Sequence, residues 1–221
     1  MSRLVDKYRD PLLTPGETAR HLRIPKSTMY NWLSDEAAGA PLVHRVTPEK
    51  RGWPSVPFVA VIEAYVLRTL RVDLGLKKST VREAAAAIRK QFDTPYGLAT
   101  RRIATDGIDI FVEHAGRELA RAHDGQTPIR EIIENDLQFI DWDKDDTPNR
   151  LRLRQYPDVA PVIIDPRFAW GSPVVEVNRV PVAAVVDLWR SGESIRTVAD
   201  EYGLTYEQTE AICRVATDRA A

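Results

Sequence analysis

Residues 13–33, LTPGETARHLRIPKSTMYNWL, decide the fold of the N-terminal part of this chain. Thr14-Pro15-Gly16-Glu17 has the spacing of a capping box with proline at the first helical position, which predicts a helix ending near Leu22. Pro25 lacks an N–H group and suits the first turn of a second helix, predicted over residues 25–33. The inward face of that helix would carry Met29, Trp32 and Leu33. Two short helices joined by a tight turn are typical of a helix-turn-helix unit.

The residues that follow predict a wing and two longer helices. Residues 42–46 and 53–56 flank the turn-rich segment 47–52, which favours a β-hairpin wing. Apolar residues at helical spacing predict a helix over 57–71 and another over 79–91. The cluster Asp93-Thr94-Pro95-Tyr96-Gly97 is typical of a linker, and we place a domain boundary there.

The middle of the chain is interpreted as hairpins around one helix. Asp106-Gly107 is a strong hairpin-turn dipeptide, and pairing across it would set Ile103 against Ile110. A second hairpin with its loop at 144–149 would pair Asp143 with Arg150 and Asp141 with Arg152. A helix is predicted between the two hairpins, over 128–140.

The C-terminal part is predicted to be mainly helical, after short strands at 161–164 and 174–177. Helices are expected over 182–190, 194–202 and 205–217, and residues 194–213 repeat the helix-turn-helix spacing. The predicted fold class is α+β, with a winged helix-turn-helix, a small central sheet with one helix, and a C-terminal helix-turn-helix-like unit. The predicted domains are 1–95, 96–160 and 161–221.

Charge is divided unevenly along the chain, although the net charge of all 221 residues is −1. Residues 1–100 carry a net charge of +6 and residues 101–221 a net charge of −7. This asymmetry favours a nucleic-acid partner for the N-terminal half, and chance scatter is the alternative. The sequence contains neither a bilayer-spanning apolar run nor a signal peptide, so a cytoplasmic protein without membrane contact is expected.

Candidate DNA contacts cluster on the second predicted helix and the wing. Side chains of phosphate-binding and base-reading types occupy the exposed face of that helix, at Lys26, Ser27, Thr28, Tyr30 and Asn31. The wing adds basic groups at His44, Arg45, Lys50 and Arg51. We interpret Asn31 and Ser27 as base contacts on double-stranded DNA, bound by a dimer at a palindromic site. The alternative is a helical corner used only for packing.

The second helix-turn-helix spacing favours a different use. Its second helix carries Glu207 and Glu210, which phosphates would repel, so we interpret this unit as a protein-contacting surface. The candidate contact residues on it are Tyr202, Tyr206, Ile212 and Arg214. A simple core role for the apolar members is an equally open alternative.

Catalytic and metal-binding interpretations find little support. Asp141, Asp143 and Asp145 have calcium-loop spacing, but Asp146 stands where glycine is required and Arg152 where the terminal glutamate is required. His21, His44, His114 and His123 show no metal-ligand spacing. The single Cys213 excludes an internal disulfide or a multi-cysteine metal site. We therefore expect a protein that is not an enzyme and needs no cofactor or metal.

Two stretches resemble known families. The helix-turn-helix, the wing and the two alanine-rich helices that follow, as far as residue 88, are similar to the winged DNA-binding module of MerR-like regulators. Arg23 stands where that family usually has a turn glycine. Residues 162–212 resemble the antitoxin-like domain of unknown function 433. That pattern is carried by Asp165, Pro166, Gly171, Pro173, Arg179, Pro181, Gly192 and Gly203.

The combined arrangement resembles the larger VapB-like antitoxins, which pair with PIN-domain (VapC-type) ribonuclease toxins. The resemblance implies a homodimeric antitoxin that neutralises such a toxin and represses its own operon by binding operator DNA. Arg154 would then be free to reach the acidic site of the toxin, whereas Arg150 and Arg152 have cross-strand partners. A free-standing MerR-like transcriptional regulator without a toxin is the alternative.

Overall fold

The structure, a computed structural model, describes residues 4–34, 41–122 and 129–218. The chain divides into two compact units, Met1–Asn149 and Arg150–Ala221. This division differs from the three predicted domains, because the boundary expected near residue 95 falls inside the first unit. There, Gly97, Leu98 and Ala99 form a buried 3₁₀ turn instead of an exposed linker.

The N-terminal helix-turn-helix forms as predicted. Helix α1 spans Pro15–His21 and α2 spans Lys26–Ser34. The capping box is complete, because the Glu17 N–H donates to Thr14 Oγ1 (3.2 Å) and the Thr14 N–H donates to Glu17 Oε2 (2.8 Å). Met29, Trp32 and Leu33 are buried, so local sequence alone specifies both helices and the buried face of α2.

Arg23 is the strained residue of the turn between α1 and α2. Its φ is +53°, in the left-handed region, and the next N–H, of Ile24, donates to the Ala19 carbonyl (2.8 Å). The turn therefore holds a bulky residue in a conformation that glycine adopts without steric cost.

Replacing Arg23 by glycine is expected to stabilise the protein by about 0.5–1 kcal/mol. The left-handed conformation costs an L-residue about 1–2 kcal/mol, and the entropy of glycine in the unfolded chain offsets part of the gain. Urea unfolding in the absence of DNA measures the difference. The matched control is Arg20→Gly, an exposed position in α1, where glycine should instead destabilise by about 0.5–1 kcal/mol. Destabilisation by both variants would contradict the assignment of strain to Arg23.

The predicted hairpin wing is a loop. The Val46 N–H donates to the Ser55 carbonyl (2.9 Å), but the described residues between these two positions form no ladder of strand hydrogen bonds. Pro48 and Pro54 lack donors and Gly52 turns with φ +88°, so a regular strand pair cannot continue. The base of the wing is closed by an antiparallel bridge between Leu13 and Val56.

Helix α3, Phe58–Arg68, is the central element of the first unit, and all of its residues are buried. A π-helical turn extends it over Thr69–Asp73, and Gly75, with φ +66°, ends the segment. Helix α4 follows at Lys78–Gln91. Both helices agree with the predicted ones to within a turn.

The first predicted hairpin is wrong. Residues Asp106–Ala122 form helix α5, and Asp106 begins it with negative φ, whereas the expected hairpin turn requires positive φ. Ile108 and Phe111 are buried at helical spacing, so burial of one helix face overrides the turn preference of Asp-Gly. Gly107 permits the tight approach, since a Cβ there would lie 2.7 Å from Ile103 Cδ1.

Helix α6, Ile129–Leu137, leads into a small four-stranded sheet. The strands β1 to β4 follow the order of the chain and span Ile140–Trp142, Pro148–Arg152, Val162–Ile164 and Val174–Val175. Antiparallel pairing sets Leu151 opposite Ile164 and Val162 opposite Val175. The fold class is therefore α+β, and the boundary between the two units falls within β2.

The ion pairs predicted across the second hairpin are replaced by others. Asp143 pairs with Lys7, Arg150 with Glu176 (2.8 Å) and Arg152 with Asp158. Lys7 and Glu176 lie far in the chain from their partners Asp143 and Arg150, so strand register alone does not reveal these two pairs.

The three C-terminal helices form as predicted. They span Val182–Arg190 (α7), Ile195–Tyr202 (α8) and Tyr206–Thr217 (α9). Gly203 ends α8 in the left-handed conformation, and Thr205 begins α9 with a second capping box. Among the described residues, no helix has the length and apolar character needed to cross a membrane.

Candidate nucleic-acid interface

Helix α2 separates a core face from a polar exposed face. Lys26, Ser27, Tyr30 and Asn31 are exposed, and Thr28 is half-buried beside them. Since the opposite face is anchored in the core by Met29 and Trp32, the polar side chains are presented on a rigid helix. The predicted reader residues therefore lie together on one face.

The wing presents a second group of polar side chains. Arg45, Lys50 and Arg51 are exposed, and Lys50 Nζ lies 5.1 Å from the centre of the Trp53 ring. Trp53 is itself half-exposed and was not among the predicted site residues. Its position between Gly52 and Pro54 in a basic loop is the sequence feature that could have identified it. A cation over an aromatic ring stiffens the loop and keeps the ammonium group at the surface.

His44 is anchored inward, unlike the other predicted wing residues. Its backbone N–H donates to Glu63 Oε2 (2.8 Å), and its ring Nδ1 lies 2.8 Å from Glu63 Oε1. Its ring also packs against Tyr96, with ring centres 4.6 Å apart. We therefore remove His44 from the candidate DNA contacts, because these bonds hold its ring against α3.

Glu63 is the centre of a buried polar cluster at the root of the wing. It lies on α3 and is fully buried, and Arg89 on α4 places its NH2 3.6 Å from Glu63 Oε1. Arg89 also donates to the carbonyls of Pro41 (3.0 Å) and Leu42 (2.9 Å). Because buried charges need such partners, the cluster ties the chain entering the wing to both long helices.

The cluster of Glu63, Arg89 and His44 was not predicted from the sequence. A glutamate within the apolar run 58–67 is the only local feature that points to it. Its partners are 19 and 26 positions away in the chain, so only the folded structure brings them together.

The predicted protein-contact residues of the second unit divide by burial. Tyr206 is 53% exposed, and Arg214 is exposed with an ion pair to Glu210 (3.2 Å). Tyr202 is half-buried, and its carbonyl accepts a hydrogen bond from Asn178 Nδ2 (2.8 Å). Arg154 is also half-buried and is engaged in contacts of its own, so it is not the unpaired cation expected from the sequence.

Ile212 is excluded as a surface contact, because it is fully buried in the core of the second unit. Cys213 beside it is a buried free thiol, and burial raises its pKa to about 11. The thiol is therefore protonated at neutral pH, and the nucleophilic thiolate form is disfavoured.

Comparisons with known proteins agree with this two-part organisation. Residues 11–84 match a family described as "Putative DNA-binding HTH domain", and residues 162–214 match "Protein of unknown function (DUF433)". The chain is 32% identical to "Putative antitoxin VapB45" of Mycobacterium tuberculosis (strain ATCC 25618 / H37Rv), over 91% of this chain and 92% of that protein. It is also similar to the crystal structure of Rv2018 from Mycobacterium tuberculosis, with a TM-score of 0.79 and 31% identity, covering 93% of this chain and 99% of the other. The chain therefore belongs to the family of VapB45-like antitoxins, with a helix-turn-helix domain in front and a domain of unknown function 433 behind.

Proposed function

We propose that this chain is a DNA-binding antitoxin that neutralises a PIN-domain ribonuclease toxin and represses its own operon. The observation that carries the DNA part is the exposed polar face of α2 together with a basic wing on a rigid base. The relative named as an antitoxin supports the toxin part. In this proposal the protein acts by binding alone, as a regulator without catalysis or cofactor.

Helix α2 would lie in the major groove of the operator. Its N-terminal residues Lys26 and Ser27 would approach the DNA backbone and base edges. The side-chain amide of Asn31 can donate from its NH2 group to adenine N7 and accept at its oxygen from the adenine N6 amino group. Lys50 and Arg51 on the wing would contact phosphates, which hold the reader in register without specifying sequence. A homodimer would place two readers about 34–36 Å apart on a palindromic site.

The second unit is a poor DNA reader. Glu207 is exposed at the start of α9, the helix that would enter the groove, and it would face phosphates there. The proposal therefore assigns dimerisation and toxin binding to this unit, with Tyr202, Tyr206, Arg154 and Arg214 as the candidate contacts that remain after Ile212 is excluded.

Replacing Asn31 by alanine is expected to relax operator preference by about 1–3 kcal/mol at one base pair of each half-site, since a good bidentate base contact contributes that much discrimination. Competition binding with operators mutated at single positions measures the change. The salt dependence of binding should stay that of the wild type, because no phosphate contact is lost. Unchanged preference at every position would assign Asn31 to the outside of the interface.

Co-expression tests the toxin part of the proposal. The proposal expects a gene for a PIN-domain protein beside this one; cells that express that protein should stop growing, and this chain should restore growth. A variant with both Lys50 and Arg51 changed to alanine should still restore it, because repression and neutralisation would use different units. DNA binding without rescue or co-purification would favour the free-standing MerR-like regulator instead.

A further inference from the structure

The turn at residues 165–171 holds an exposed tryptophan on an unusually constrained backbone. Asp165 is fully buried, and its carboxylate accepts hydrogen bonds from the Arg167 side chain at Nε (2.9 Å) and NH2 (2.6 Å). The Arg167 backbone N–H also donates to Asp165 Oδ1 (2.9 Å). These bonds fix the start of the turn.

Three consecutive residues of this turn are left-handed. The φ angles of Ala169, Trp170 and Gly171 are +45°, +52° and +77°. The Gly171 N–H donates to the Phe168 carbonyl (2.9 Å) and the Ser172 N–H to the Ala169 carbonyl (3.0 Å), which closes the turn. Non-glycine residues occupy this conformation only where the surrounding structure holds them, and such positions concentrate at functional sites.

Trp170 gains no burial from this strain, since its side chain is 76% exposed. Phe168 beside it in sequence is flanked by two guanidinium groups, those of Arg179 at 4.9 Å and Arg167 at 5.7 Å from the ring centre. An aromatic residue on a rigid support, accompanied by arginines, is the composition of an interaction hot spot. The rigidity lowers the entropy that a partner must overcome on binding.

We propose that this turn, residues 165–171 with Arg179, anchors the toxin, and that the toxin presents an apolar pocket for Trp170 rimmed by carboxylates. The inference deepens the proposed function and rests on it. It names the point of attachment, a surface that differs from the one predicted on α9.

Charge decides between the candidate occupants. The Asp165 carboxylate compensates the charge of Arg167, whereas the Arg179 side chain donates its hydrogen bond to a neutral carbonyl, that of Glu176. In a two-fold dimer built on this turn, the patch would meet itself and set the Arg179 guanidinium against its own copy, which is unfavourable. Nucleic acid is disfavoured because residues 150–221 carry nine basic and ten acidic side chains and so lack a basic field. A different protein with acidic groups around an apolar pocket complements both features.

The test is the affinity of the purified full-length chain for the PIN-domain toxin that the proposed function expects to be encoded beside its gene, measured by calorimetry. Trp170→Ala should weaken binding at least about 30-fold, which corresponds to a hot-spot residue. Trp170→Gly should weaken it similarly while raising the midpoint of thermal unfolding, because glycine relieves the left-handed strain. Trp170→Phe, which keeps an aromatic ring, should recover part of the affinity.

Val72→Ala is the control, since it truncates a 51% exposed apolar side chain of the other unit, outside the helix-turn-helix and the wing, and should leave toxin affinity unchanged. Wild-type affinity in Trp170→Ala would overturn the inference and leave the proposed function intact. A wild-type chain that binds no such toxin would overturn both. If Trp170→Ala kept its toxin affinity but lost dimerisation, the occupant of the turn would be a second copy of this chain. If it kept its toxin affinity but lost operator binding, the occupant would be DNA; either outcome would overturn the inference.

Discussion

Replacing Glu63 by alanine is expected to lower the free energy of unfolding by about 3–5 kcal/mol, the usual cost of removing one partner from a buried charged pair. The Arg89 guanidinium would keep its bonds to the Pro41 and Leu42 carbonyls but lose its carboxylate. The His44 N–H would lose its acceptor. Urea unfolding followed by circular dichroism measures the loss, and operator affinity should fall with it because the root of the wing is no longer held on α3.

Two further variants separate the charge from the burial. Glu63→Gln keeps an acceptor for the His44 N–H and fills the same space, so it should cost less than alanine. Glu83→Ala removes an exposed carboxylate from α4 and should change stability by less than about 0.5 kcal/mol. If Glu63→Ala cost no more than Glu83→Ala, the cluster would not stabilise the wing.

Changing Lys50 and Arg51 together to alanine is expected to weaken operator binding by roughly 10²–10³-fold at 0.15 M salt. Each phosphate contact makes the slope of log K against log salt more negative by about 0.9. Relative to a 1 M salt reference, one such contact raises the affinity about fivefold at 0.15 M salt. A dimer has two wings and would lose four such contacts. Both side chains are exposed, so the fold should be retained. Fluorescence anisotropy over a salt series measures affinity and slope together.

The loss should be the same for operator and for unrelated DNA, because phosphates carry no sequence information. Lys77→Ala with Lys78→Ala is the matched control, since it removes two exposed positive charges outside the reader and the wing. A salt slope equal to that of the wild type in the Lys50 and Arg51 variant would show that the wing does not touch the phosphates. An equal effect in the control would indicate general attraction in place of a defined wing contact.

Local sequence predicted the helix-turn-helix well, because the interactions that define it are local. The capping boxes at Thr14 and Thr205 join residues three positions apart, and the buried stripe of α2 follows from helical periodicity. The exposed reader residues of α2 follow from the same periodicity, as the face opposite the stripe. The α+β class and the three C-terminal helices were predicted on the same grounds.

Predictions that depended on distant partners failed. Asp106-Gly107 is a hairpin signal only if two strands flank it, and the burial of Ile108 and Phe111 made a helix there instead. His44 had the composition of a wing contact, but Glu63, nineteen residues later, turned it inward. Ile212 lay on a plausible contact helix, and packing placed it in the core.

The sequence by itself therefore determined where the helix-turn-helix units begin and end, which of them is basic, and to which family the chain belongs. These properties depend on neighbours within one or two helical turns or on composition. The tertiary structure alone decided that His44 and Arg89 are held in a buried cluster around Glu63. It also revealed the left-handed turn that exposes Trp170. The buried cluster arises from contacts between α3, α4 and the wing, which lie far apart in the chain, so no local pattern encodes it.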